Sequence, residues 1–369
     1  MNNIKLKSLK LGDICIHFKS GLNYILGGNA TGKTTIFNAI RYAIGLESSL
    51  SHSYFFSVEL DILINDLEIR FFREVGSLYI KVYDNEESFQ IFKAESSEWD
   101  NYLKEQLAFK FIYQSSSESA QSILDFCFLS EVRSINRRKQ WEAVNSICGI
   151  NTSMFRLVER DIMALRKEVA QNKIYKSVID AFSNRLLDEL EKDSQLENST
   201  NRIEKVKEEF LKSYKDKENL LLNAMLKFDE LKKTSSKELA NKLSEIESIF
   251  ININKHHGFN KSEFEGLEIF IKERSHIMSF GAETYSRFLI ILSVAIFSEN
   301  TNINFPNFII NDNYLSSNDD FTYSNAITLL ENVVNNNENL QYIEFTNRRN
   351  VPSEYVVLDL NTQGIKYEC

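Results

Sequence analysis

Along the first hundred residues, apolar and polar positions alternate at the period of strands. Segments 4–11, 14–18 and 22–26 alternate or run apolar, and glycine-rich punctuation then opens an apolar-periodic segment over 33–44. That pattern predicts three strands followed by a helix. Four more strands are predicted over 54–64, 67–73, 78–83 and 89–92, with Asn65-Asp66 and Asp84-Asn85 as hairpin turns. Residues 97–107 read as helix, 109–113 as strand, and 119–129 and 138–148 as helices.

Beyond Gly149 the pattern changes. From 153 to 257 the chain is mostly Lys, Glu, Leu, Asn and Ser, with apolar residues three or four apart. Ile162, Leu165 and Val169 are followed by Ile174, Val178, Phe182, Leu186 and Leu190. A second run holds Ile203, Val206, Phe210, Tyr214, Leu221, Met225, Phe228 and Leu231, and a third Leu239, Leu243, Ile246, Phe250 and Ile253. Such spacing predicts an antiparallel helical pair or small bundle. Polar breaks place its tip near 194–199 and a second break in the return arm at Thr234. An arm of about 40 residues would reach about 60 Å; a compact helical insertion against the core is the alternative.

The last third returns to mixed character. A Ser/Gly turn precedes an apolar helix ending at Phe297, then come a buried strand over 308–310, a helix over 323–334 and a buried strand over 340–345. Residues 355–360 and 365–367 would close as a hairpin around 361–364. Strand-rich ends around a helical middle imply an α/β domain assembled from both termini with the helices inserted. The lobes are placed at 1–150 and 258–369, and the insertion at 151–257.

Composition narrows the class. Over 369 residues, 43% are hydrophobic and 26% charged, which is globular and not disordered. A net charge of -9 removes the simplest nucleic-acid signature, so any such contact must be local. Only two prolines interrupt the chain, which leaves long helices free to form. The four cysteines (Cys15, Cys127, Cys148, Cys369) form no paired motif and read as reduced intracellular thiols. The N-terminus has no signal-peptide apolar core, and the longest apolar run, 288–297, is too short to span a bilayer. A cytoplasmic protein without a membrane segment is expected.

One motif carries chemistry. Gly27-Gly28-Asn29-Ala30-Thr31-Gly32-Lys33-Thr34 matches G-x-x-x-x-G-K-[ST] between a predicted strand and a predicted helix. Glycines let backbone N–H groups converge on phosphates at a helix N-terminus, whose partial positive charge favours anions. Lys33 would reach the β- and γ-phosphates and the Thr34 hydroxyl would coordinate Mg²⁺. ATP and Mg²⁺ are the expected cofactors.

The stretch 18–27 with Asn29-Ala30-Thr31-Gly32-Lys33-Thr34-Thr35-Ile36-Phe37-Asn38-Ala39-Ile40, after the strand at 6–11, resembles the ABC-type ATPase heads of the SMC, RecF and RecN group. In that family a P-loop lobe and a second lobe flank a coiled coil, a plan that covers nearly the whole chain. The resemblance implies further site residues in order. Gln114, after Phe111-Ile112-Tyr113, would be the Q-loop contact to Mg²⁺ or water, with Gln121 as the alternative. Ser279-Phe280-Gly281 is similar to the signature loop, in which Ser279 and Gly281 would bind the γ-phosphate held by a second subunit.

The Walker B region, Phe308-Ile309-Ile310-Asn311-Asp312-Asn313, departs from the family pattern of a metal Asp followed by Glu. Either Asp312 is the metal residue and Asn313 stands at the Glu position, or Asn311 and Asp312 fill those places. The first frame is preferred because it puts Asp319 where the D-loop aspartate belongs. Both frames lose a carboxylate, which weakens general-base help and implies slow hydrolysis. Asn347 follows Thr346 where the family has a switch histidine.

Resemblance further implies a homodimer of heads around ATP, a partner protein on the coil, and DNA as substrate. Arg133, Arg137, Arg138 and Lys139 are the candidate phosphate contacts. Compact heads of this kind belong to multi-component systems for DNA repair or phage defence. The competing reading is a nucleotide-gated interaction subunit that scarcely hydrolyses ATP; a kinase or GTPase is the third class, and no Asn-Lys-x-Asp supports it.

Overall fold

The computed structural model describes residues 4–50, 55–64, 67–85, 88–106, 120–130, 143–144, 147–148, 153–190, 197–256, 280–301, 305–315, 319–337, 339–348 and 351–363. By packing they form two units, Met1–Gly149 with Leu239–Cys369, and Ile150–Glu238.

The first unit is built on two sheets. Strands β1 (Ile4–Leu11), β2 (Ile14–His17), β4 (Ser57–Ile64), β5 (Leu67–Glu74), β6 (Tyr79–Asn85) and β7 (Ser88–Lys93) make an antiparallel sheet in the order β2-β1-β4-β5-β6-β7. Alternation drives it: along β4, Val58, Leu60, Ile62 and Ile64 are buried while Ser57, Glu59, Asp61 and Leu63 stay partly exposed. The second sheet is parallel, in the order β11-β3-β10-β9-β8, from β3 (Gly21–Leu26), β8 (Phe128–Ser130), β9 (Phe308–Asp312), β10 (Gln341–Thr346) and β11 (Val356–Asp359). Strands β9 and β10 are buried at every position, as strands covered on both faces must be.

Helix α1 (Lys33–Ile44) packs on the core through Ile36, Phe37 and Ile40. Its C-terminus is held in place by three contacts. Gly45, at φ 81°, closes it with a left-handed residue, and a Cβ there would lie 2.7 Å from Trp99 Nε1. Trp99 of α2 (Ser97–Gln106) donates to the Ile44 carbonyl at 2.9 Å. Arg73 is fully buried, donates to the Tyr42 and Glu47 carbonyls at 2.8 Å, and lies 3.7 Å from the centre of the Tyr42 ring. A guanidinium aimed at the carbonyl end of a helix complements its dipole.

The two sheets are joined by a side chain. Gln341 opens β10 and is 1% exposed. Its Oε1 accepts from the Leu6 N–H at 2.9 Å, and its Nε2 donates to the Leu6 carbonyl at 2.9 Å and the Lys19 carbonyl at 3.0 Å. The pairing of β1 with β2 covers only Ser8 to Leu11, so the Gln341 amide takes up the Leu6 backbone groups beyond it, next to the register shift between Leu6 and Ser8.

Two expectations change here. Residues 128–130 leave α3 (Ala120–Phe126) and run as β8, parallel to β9, because all three side chains are buried beside that strand. Residues 356–359 pair parallel with β3, and the short helix α8 (Leu360–Gln363) stands where the turn of the expected hairpin would be; its second strand, 365–367, lies outside the described residues. Of the helix expected over 138–148, only 143–144 and 147–148 are described, and the strand expected over 109–113 lies outside the described residues.

The second unit is a helical hairpin of α4 (Ser153–Leu190) and the first part of α5 (Glu197–His256). Phe155 meets Phe228 edge-on at 6.2 Å, Glu168 pairs with Lys217 at 3.2 Å, Lys176 lies 5.5 Å from the Tyr214 ring, and Asp180 pairs with Lys207 at 3.2 Å. As the number on α4 rises its partner's falls, the signature of antiparallel helices. The buried and half-buried seam on α4 runs from Phe155 to Ile162 and then, three or four residues at a time, through Leu165, Val169, Asn172, Lys176, Ile179 and Ser183 to Leu186. Ile174, Val178 and Phe182 therefore fall on another face and are 64%, 59% and 64% exposed, contrary to the expectation that they face the partner helix. Helix α5 also runs through Thr234 unbroken; that hydroxyl donates to the Glu230 carbonyl at 3.0 Å and so stays within the helix. The Leu239–His256 part of α5 belongs with the first unit, because Ile246 and Phe250 are fully buried in its core.

Two outcomes follow for stability. Gln341→Leu strands the Leu6 and Lys19 backbone groups in the interior and is expected to cost about 3 kcal/mol, read as a lowered Tm; an unchanged Tm would remove the joint. Ile162→Ala, in the seam, is expected to cost about 2 kcal/mol, while Phe182→Ser on the exposed face stays within about 0.5 kcal/mol. Hydrogen exchange along the hairpin would show the opposite order if the seam followed Ile174 and Phe182.

Candidate nucleotide-binding site

The sheet delivers the glycine-rich loop to one place. Strand β3 ends at Leu26, in register with Thr346 of β10, and the Gly27 N–H still donates to the Thr346 carbonyl at 3.1 Å. The loop then folds on itself. A Cβ on Gly27 would lie 2.2 Å from Thr31 Oγ1 and would have to displace that hydroxyl, which donates to the Gly28 carbonyl at 2.9 Å. Ala30 at φ 61° and Gly32 at φ 97° are left-handed, the backbone geometry that turns successive N–H groups into an anion-binding concavity.

The loop opens α1 without a side-chain cap and without an acidic residue in the first turn. Its first N–H groups are therefore left for an external anion. Asn29, Ala30 and Thr34 are exposed, Thr31 and Thr35 partly so. Lys33 is 9% exposed, and its Nζ donates to the Gly27 and Gly28 carbonyls at 2.6 Å each. Burial lowers the affinity of its amine for a proton, and the nearby Asp312 carboxylate works against that shift.

Asp312 ends β9 and is 4% exposed. Its neighbour Asn311 is fully buried and already committed: Nδ2 donates to Tyr342 Oη at 2.8 Å, and Oδ1 accepts from the Tyr314 N–H at 2.8 Å. Asn311 is thus engaged within the protein on both atoms of its amide, whereas the Asp312 carboxylate interacts with Lys33. Asn313 sits at φ 54°, which Asn tolerates better than most residues, and its N–H donates to the Phe345 carbonyl at 3.0 Å. Asn347 is exposed just past the end of β10, one residue beyond the Thr346 that holds Gly27.

Other expected residues lie apart or carry a second duty. Asp319 caps α7 (Asp320–Asn336): its Oδ1 accepts from the Thr322 N–H at 2.8 Å and its Oδ2 from the Thr322 hydroxyl at 3.0 Å. Those bonds hold its carboxyl below the usual carboxylate range. Gln121 donates to the Gly45 carbonyl at 3.2 Å, at the end of α1 remote from Lys33, which separates it from the loop. Gly281 is in the first turn of α6 (Phe280–Asn300). Gln114, Ser279, Arg133, Arg137, Arg138 and Lys139 lie outside the described residues.

One contact was not foreseen. Asn361 Oδ1 accepts from the Gly28 N–H at 2.9 Å, while Asp359 Oδ1 accepts from the Asn361 N–H and Nδ2 at 2.9 and 3.0 Å. Residues 333 positions apart thus meet at the loop. The D-x-N spacing, an Asx-type turn signal, was the available clue.

Hard oxygen donors from Thr34 and Asp312 beside a phosphate-shaped loop suit Mg²⁺, which takes one or two protein ligands and completes its shell with phosphate and water. Among the described residues no helix is long and apolar enough to cross a membrane.

Comparison with known proteins agrees with this geometry. The AAA domain family AAA_23 matches residues 4–257. Nothing among curated proteins matches the chain. The structure is similar to the Smc head domain of Pyrococcus yayanosii with a coiled coil and joint, at TM-score 0.61 and 12% identity, covering 94% of this chain and 92% of that one. It is also similar to the Smc head domain of Pyrococcus furiosus with an extended coiled coil, bound to the C-terminal domain of ScpA, at TM-score 0.57 and 15% identity, covering 94% and 90%. The chain belongs to the AAA_23 family of AAA domains, and its fold is that of an SMC-like, ABC-type P-loop ATPase head carrying a coiled coil.

Proposed function

We propose that this protein binds Mg·ATP at the Gly27–Thr34 loop and that two heads close around the nucleotide, coupling closure to DNA or to a partner protein. The observation that carries the reading is the loop itself: an uncapped helix start, left-handed backbone at Ala30 and Gly32, and Lys33 held between the loop and Asp312. In this reading Lys33 leaves the Gly27 and Gly28 carbonyls for the β- and γ-phosphates, and the loop N–H groups and Thr35 orient the phosphate chain. Thr34, Asp312 and Gln114 would hold Mg²⁺, which neutralises charge on the phosphate oxygens when bound. Ser279 and Gly281 of a second head would cover the γ-phosphate, with Asp319 and Asn347 flanking it.

Asn313 favours a second reading, an interaction subunit gated by ATP. An amide can orient a water but cannot take its proton, so cleavage slows and the closed state persists. A partner protein is supported by the Pyrococcus furiosus Smc head domain, which is bound to the C-terminal domain of ScpA, and the helical hairpin is the surface assigned to it here. DNA contact is assigned to Arg133, Arg137, Arg138 and Lys139, and a role in DNA repair or phage defence stands on resemblance.

Lys33→Ala is expected to weaken ATP binding at least 100-fold by calorimetry; retained affinity would remove the nucleotide site. Asn313→Glu is expected to raise turnover about tenfold or more, though the left-handed backbone costs it about 1 kcal/mol of stability. A brisk wild-type rate, or one the substitution leaves alone, would overturn the slow-hydrolysis reading. Sizing the protein without nucleotide, with Mg·ATP, and with Mg·ATP plus DNA is expected to show a dimer only with ATP. A monomer under all conditions would sink the sandwich.

A further inference from the structure

Beneath the ends of β9 and β10 lies a buried polar chain that the binding of phosphate does not require. Glu344, in the middle of β10, is 1% exposed and pairs in register with Asn311 of β9 and Tyr24 of β3. Its Oε1 accepts from Tyr323 Oη of α7 at 2.9 Å and its Oε2 from Tyr342 Oη at 3.1 Å. Tyr342 Oη in turn accepts from Asn311 Nδ2 at 2.8 Å, and Asn311 Oδ1 accepts from the Tyr314 N–H at 2.8 Å. Arg287 of α6 donates to Tyr314 Oη at 2.9 Å. At the other end, the Arg348 guanidinium lies 3.8 Å from the Tyr323 ring centre and donates to Asp320 at 2.6 Å.

An apolar side chain would suit this buried face of a parallel sheet, and a buried carboxylate is costly unless its bonds are filled. The chain instead ties together four segments. They are α6, whose first turn holds Gly281, the turn carrying Asn313, the helix capped by Asp319, and the residues around Asn347. We infer that Glu344 is a positioning residue that, through Tyr342, Asn311 and Tyr323, sets the turn after Asp312 and the segment after Thr346 for cleavage of bound ATP. This rests on the nucleotide-binding reading above.

Burial pushes the Glu344 carboxyl up to about 7, while Tyr323, Tyr342 and Arg348 pull it back. The other titratable groups of the cluster are Tyr24 on β3, Glu331 on α7, and Tyr355. Ionised Glu344 accepts more strongly from both tyrosines, so the arrangement tightens as pH rises through about 7.

The test measures ATP affinity and the single-turnover cleavage rate in wild type, Glu344→Gln and Tyr342→Phe between pH 6 and 9. Expected is about a tenfold slower cleavage in both variants with ATP affinity within about twofold, since the phosphate loop is untouched. Wild type is expected to gain rate through pH ~7 and Glu344→Gln to lose that inflection. Should one variant fail to fold, the other carries the test. Unchanged rates and an unchanged pH profile would overturn the inference, as would a wild type that binds ATP without cleaving it. A wild type that binds no ATP would instead remove the nucleotide reading on which it stands.

Discussion

Strand β10 is paired on both edges, with β3 and β9, and buried along its whole length. Any polar group it carries must be satisfied inside the protein. It carries several, and each one settles a piece of the architecture. Gln341 binds the backbone of the antiparallel sheet, Tyr342 and Glu344 fix the turn after β9 and the helix α7, and the Thr346 carbonyl holds the first residue of the phosphate loop. The site is therefore an extension of the sheet's hydrogen-bond accounting.

Helix α1 transmits that order. Its N-terminus stays free of side-chain caps while its C-terminus is tied by Arg73, Trp99, Gln121 and the left-handed Gly45. One end is rigid so that the other can offer its N–H groups in a fixed direction. Gln121 belongs to this anchoring, which is why it cannot serve as a contact at the loop. Asp319 shows a similar doubling, because a carboxylate that caps its own helix is also held ionised and oriented.

The helical hairpin obeys a different rule. A seam with a period of 3.5 needs only enough apolar positions to hold its phase, and Phe155, Ile162 and Val169 set it. Asn172, Lys176 and Ser183 then enter the seam although apolar residues stand nearby. The seam keeps Lys176 through its contact with the Tyr214 ring and Ser183 through a bond from its hydroxyl to the Ile179 carbonyl at 2.6 Å.

The loop, the strand before it and the helix after it were legible in the sequence, as was the head split by a helical middle, because glycine turns and helical periods are written in short windows. Asp312 was legible as a candidate and Asn311 as its rival, but the bonds to Tyr342 and from Tyr314 that take up the Asn311 amide were not legible. Asn361 at Gly28, the seam that passes over Ile174, β11 as a parallel strand and the Glu344 chain were not legible. By itself the sequence determined where an anion could bind and which elements flank it. Only the tertiary structure decided which polar groups were spent inside and which were left for chemistry, because a buried hydrogen bond is chosen by partners that lie far apart along the chain.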